Sequence, residues 1–111
     1  MLKSYNFLKY NKVIGILHYD TETKQFSFSK LSKLKQDYPV AFFFNTPFDE
    51  EVDLDVLYNY LEERVCDKHN QRINDLLDYM DLVEWDLYEI LKFNMGRTMS
   101  DMFWIDFDKE V

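Results

Sequence analysis

Few residues in this chain are equipped for chemistry, and they fall in two regions. Cys66 and His69 have a spacing that brings two ligands within reach of one metal ion, but a structural zinc site takes four. His18 is far away in sequence, in a stretch that reads as a strand. Nucleophilic catalysis by Cys66 with His69 would also need an orienting acid and an oxyanion hole, which no motif here supplies. The acidic run Asp49, Glu50, Glu51, Asp53 and Asp55 lacks the glycine that a calcium loop uses for its sharp turn, and it leads directly into an apolar helical stripe. No catalytic residue, metal or cofactor is therefore expected. The second region is the closing segment, where Arg97, Asp101, Phe103 and Trp104 are the candidate partner-binding residues. Arg and Trp are the types most enriched at binding hot spots. Phe103 and Trp104 are adjacent, so in a strand they point to opposite faces, one toward the core and the other free for contact.

The elements that must position these residues follow from composition and period. At 111 residues, with 47% hydrophobic and 18% aromatic side chains, the chain has the size and apolar content of one folded domain. The expected division is a β-rich half over 1–48 and a helical half over 49–111 with an apolar closing segment. Only two glycines, Gly15 and Gly96, are present, which excludes the glycine-rich loops that cradle phosphates. One cysteine excludes an internal disulfide and fits a reducing cytosol, so a cytoplasmic protein is expected. No window approaches the roughly 18 apolar residues of a membrane span. The net charge of −8 is unevenly placed: seven lysines and three acids precede Asp49, and six basic and eighteen acidic residues follow from there on. Such a surface disfavours direct nucleic-acid binding and points to a protein partner.

Tyr5 and Phe7, then Val13 to Tyr19, read as a hairpin around Lys9-Tyr10-Asn11-Lys12, with Asn11 suited to a left-handed turn position. Phe26 and Phe28 alternate with polar residues as a third strand, and Val40–Phe44 after Pro39 reads as a fourth. The run Phe42-Phe43-Phe44 has the stacking residues of a single-strand nucleic-acid platform without the surrounding positive charge, and core strand is the better account. Leu54, Leu57, Tyr58, Leu61 and Val65 recur at helical spacing behind Asp53 as cap. Ile73, Leu76, Leu77 and Met80 give a second helix capped by Asn70. Leu87, Ile90 and Leu91 give a third, behind an apparent capping box at Asp81 to Glu84 and ended by Gly96. The segment Met102–Phe107 reads as a last strand or a docking piece. The expected fold is α+β, a mostly antiparallel N-terminal sheet of about four strands packed against about three C-terminal helices.

Several of these segments also carry a family resemblance. Glu63-Arg64-Val65, Ile73-Asn74-Asp75-Leu76-Leu77, Leu87-Tyr88-Glu89-Ile90-Leu91 and above all Gly96-Arg97-Thr98-Met99-Ser100-Asp101-Met102-Phe103-Trp104-Ile105 resemble the segment that precedes the kinase domain in HipA-like Ser/Thr kinases. Val13-Ile14-Gly15-Ile16-Leu17 with Phe26-Ser27-Phe28 is similar to the start of the same subdomain, so the likeness spans roughly residues 11 to 107. It departs at Asp67-Lys68-His69-Asn70, where the family often has a Pro-rich junction ending in Arg. The kinase's phosphate loop and catalytic motifs are missing from this sequence. The resemblance implies a non-catalytic subunit of a toxin–antitoxin system, a HipS-like antitoxin or accessory protein that docks on a HipA-like kinase toxin and restrains it. The acidic balance supports an alternative expectation, a small inhibitor from a phage or mobile element that imitates nucleic-acid charge and blocks a nucleic-acid-binding protein. A homo-oligomeric assembly protein using Phe103 and Trp104 is a third.

Overall fold

Apolar side chains alternate along three N-terminal segments and again near the C-terminus, and each stretch becomes a strand with one buried face. The computed structural model describes residues 1–30, 53–99 and 101–111. In chain order they form β1 (Leu2–Lys9), β2 (Lys12–Asp20), β3 (Gln25–Lys30), α1 (Leu54–Glu62), α2 (Ile73–Tyr79), α3 (Leu87–Asn94) and β4 (Phe103–Glu110). The strands lie in the order β3-β2-β1-β4 and every pairing is antiparallel, giving the expected α+β fold. The expected strand at Val40–Phe44 lies outside the described residues. The fourth strand of the described sheet is the closing segment, which pairs with β1.

Local chemistry explains where the elements begin and end. Asp53 caps α1 as expected, its Oδ1 accepting from the Asp55 and Val56 amides. The helix stops at Glu62, short of Val65, because the Arg64 and Val65 amides tighten onto the carbonyls three residues back. Asn70 does not cap α2. Its side chain instead accepts from the Arg72 amide one turn earlier, and Arg72 fills the cap position without a side-chain bond. The Asp81–Glu84 box does not start α3 either, since Asp81 is left-handed (φ 59°) and closes α2 with Leu82 N–H donating to the Leu77 carbonyl at 2.8 Å. Asp86 is the cap of α3, accepting from the Glu89 amide. In the β1–β2 turn it is Tyr10, rather than Asn11, that takes the left-handed conformation (φ 52°).

One face of the sheet presents Tyr5, Phe7, Leu17, Tyr19, Phe26, Phe103 and Ile105, and these share a single core with Leu57 and Leu61 of α1 and Leu87, Tyr88 and Leu91 of α3. An extra residue in β2 opposite Phe7–Leu8 forms a bulge that adds Ile14 to this core. The packing is largely aromatic: Tyr19 stacks on Tyr88 with ring centroids 3.9 Å apart, and Phe7 stacks on Phe103 at 5.8 Å. At Gly15 the Phe28 ring lies in the space a side chain would take, with Cε1 2.8 Å from where a Cβ would stand, so a larger residue would have to move that ring. Among the described residues, no helix is long and apolar enough to cross a membrane.

The two buried phenols of Tyr5 and Tyr88 share a hydrogen bond of 2.6 Å. Burial, and then that bond, push the Tyr88 hydroxyl well above the ordinary tyrosine range. The unfolded chain ionises its tyrosines near pH 10, so the stabilisation is complete below about pH 10 and is lost as pH rises toward the higher folded value. Urea unfolding followed from pH 8 to 11 should show the midpoint falling above about pH 10. Tyr88→Phe should flatten that fall and cost about 1 kcal/mol at neutral pH.

Candidate functional site

Arg64 lies just beyond the last turn of α1, on the side that carries Leu57 and Leu61, and only 5% of it is exposed. A buried guanidinium is tolerated only when its N–H groups are satisfied and its charge is paired. Here each of the five N–H donors has a partner. Nε donates to the Gly96 carbonyl at 2.5 Å, one terminal nitrogen to the Tyr60 hydroxyl and Asp101 Oδ2 (both 3.0 Å), and the other to Asp101 Oδ1 (2.7 Å) and the Phe103 carbonyl (2.8 Å). The Arg64 carbonyl accepts from the Asn94 side chain as well. The bidentate pair holds the Asp101 carboxyl below its usual range, chiefly through the hydrogen bonds from Arg64. Burial pushes the Tyr60 phenol up.

These bonds close the neck of the loop between α3 and β4, with Gly96 on one side and Phe103 on the other. Met95 and Gly96 both adopt left-handed conformations (φ 57° and 65°), so the expected glycine stop is a two-residue one. A side chain at Gly96 would also meet Ile105 Cδ1 at 2.8 Å. The loop enters β4 through Asp101, which accepts from the Phe103 amide, and the Ile105 amide donates to the Met95 carbonyl.

Outside the neck, Trp104 is half-buried on the other side of β4 from Phe103. Its indole N–H donates to the Tyr10 carbonyl at 2.6 Å, and the Tyr10 amide donates to the Met102 carbonyl at 3.1 Å. Those two bonds hold the left-handed Tyr10 in place at the hairpin tip. The Arg97 guanidinium lies over the Trp104 ring, 4.5 Å from its centroid. Between hairpin and loop is an open cleft of about 450 Å³ lined by Tyr10, Asn11, Arg97, Thr98, Met99, Met102 and Trp104, among others.

The four candidate residues are thus brought together, but in two layers. All four border the cleft, where Arg97 lies over Trp104. Asp101 is turned to Arg64 and is 31% exposed, while Phe103, 8% exposed, belongs to the core against Phe7. The Cys66 carbonyl accepts from the Trp85 indole, and among the described residues no cluster of three metal-ligating side chains occurs. His18 bridges the Ser4 and Ser29 hydroxyls, 2.7 Å to each, on the sheet, and desolvation lowers its pKa. Arg64 and Tyr10 are the residues that reading the sequence for sites passed over. Arg64 did leave a signal, a cation three and seven residues after Leu61 and Leu57 on an apolar helical stripe. No protein-family model, curated protein or solved structure matches this chain.

Asp101→Ala leaves the Arg64 charge without its counter-ion and should cost about 3 kcal/mol, the lower end for a broken buried pair because water reaches this carboxylate. Urea unfolding at pH 7 measures it. Because the folded pKa of Asp101 lies below the unfolded one, the pair's contribution is fully present above about pH 4 and is lost as pH falls through the folded value. Asp101→Asn should therefore show a shallower loss of stability than the parent chain between pH 4 and 2.

Proposed function

We propose that this chain is a non-catalytic docking subunit of the HipS kind, which binds a HipA-like kinase through the Arg97 and Trp104 surface and restrains it. The observation that carries this reading is the preset Trp104–Arg97 stack beside the cleft, rimmed by the exposed side chains of Tyr10, Met99 and Met102. Rigid aromatic and Arg anchors bordered by adaptable methionines make a surface suited to a protein partner. The resemblance of Gly96–Ile105 to the kinase-preceding subdomain adds the partner's class. On this reading Asp101 and Phe103 are positioning residues, which set the loop and strand that carry the contact pair.

The alternative, a charge mimic of nucleic acid, draws on a different face. Asp75, Asp78, Asp81 and Glu84 are all exposed along α2 and the turn after it. Salt separates the two readings, since at 1 M the screening length is only about 3 Å.

Co-expression with a HipA-like kinase followed by size-exclusion chromatography is expected to give one complex that persists at 1 M salt. Trp104→Ala should abolish co-elution while leaving the circular dichroism spectrum of a folded chain. Two well-folded proteins eluting separately would overturn the proposal. A complex that falls apart in salt and is indifferent to Trp104 would favour the charge mimic.

A further inference from the structure

The cleft beside Trp104 has a chemical preference that the docking reading leaves open. Arg97 carries a planar, permanently charged fork whose donors lie in its own plane. The guanidinium carbon lies over the indole, 4.5 Å from the ring centroid, and among the described residues no hydrogen bond takes up the Arg97 N–H groups. Asp101 lines the same cleft and is partly exposed, but both of its carboxylate oxygens are on Arg64, which neutralises it. Among the described residues Arg97 forms no ion pair, in a chain whose net charge is −8.

The platform under Arg97 is already set. The indole is tied to the Tyr10 carbonyl, and the loop is closed at its neck by Arg64, so little ordering remains to be done on binding. Met99, Met102 and Tyr10 are exposed at the rim, where flexible thioethers and a phenol ring accommodate apolar groups of varied shape. A charged fork and an apolar rim in one cleft define a composite ligand.

We infer that this cleft recognises a carboxylate side chain flanked by an apolar residue on a segment of the partner protein, with Arg97 as the carboxylate's counter-ion and the Met99–Met102–Tyr10 rim as the apolar seat. A single carboxylate is favoured over a phosphate backbone because Arg97 is the one cation among the described residues that line the cleft, enough to pair one anion but not the run of phosphates a backbone presents. The inference rests on the docking reading for the location of the surface, not for the identity of the partner.

The test uses the full chain, labelled with nitrogen-15, and two synthetic probes, N-acetyl-Leu-Asp-Leu-amide and N-acetyl-Leu-Asn-Leu-amide. The Asp peptide should produce saturable shifts of the Trp104 indole N–H and Arg97 Nε–H resonances, with an affinity at least about tenfold above that of the Asn peptide, as expected for a charge-assisted bidentate pair. Arg97→Gln should remove the difference between peptides while the indole resonance keeps its folded position, and Arg97→Lys should restore only part of it. Equal responses to the two peptides, no response to either, or a stronger response to an oligothymidylate than to the Asp peptide would each overturn the inference. Co-elution with the kinase reports separately: a complex without a peptide preference sinks this inference alone, and a peptide preference without a complex sinks the docking reading alone.

Discussion

The structure depends on one buried cation. Arg64 sits where the sheet, the end of α1 and the loop after α3 meet, and its charge can remain there only if the complete set of acceptors stays in position. That requirement works outward. Gly96, Asp101 and Phe103 must hold still for Arg64, and the residues between and just after them inherit the constraint. A loop that would otherwise be free to wander is thereby tied to the same core that holds β1 and α1.

Two charges in that loop have opposite fates. Arg97 and Asp101 are close enough in sequence to be taken for an ion pair, yet the acid is bound to Arg64 and the base has no ion pair among the described residues. The division is set by Arg64, which takes both oxygens of the carboxylate. What the loop then shows is a cation over an aromatic ring, in the half of the sequence that carries eighteen of its twenty-one acids.

Much of the architecture was legible before any coordinates. The alternation through Tyr5, Phe7, Leu17, Tyr19, Phe26 and Phe28 identified the strands, and Asp53 announced α1, because periodicity and caps are local signals. The misreadings have other causes. Asp81 and Glu84 have the spacing of a helix start, but Asp81 is taken by the closure of the helix before it. Asn11 is the better left-handed residue by type, yet Tyr10 adopts that conformation because Met102 and Trp104 bond its backbone from the far end of the chain. At the candidate site, Arg97 and Trp104 stood out by residue type, while Arg64 did not, since a charged residue next to a helix end ordinarily reads as solvated. For Tyr10 and Arg64 the deciding partners are distant in sequence, while Asp81 is claimed by the helix just before it.

The strand order also has a consequence in time. β1 has β4 as one of its two neighbours, and the indole that caps the hairpin turn lies 94 residues from the carbonyl it bonds. Pairing of such remote segments has to bear the entropy of closing the long loop between them, which slows folding and postpones it until both have been synthesised. A nascent chain can form the β1–β2 hairpin early, but its tip has no Trp104 beside it until β4 has left the ribosome. The Trp104 platform therefore forms late, and a chain that stops short of β4 lacks it.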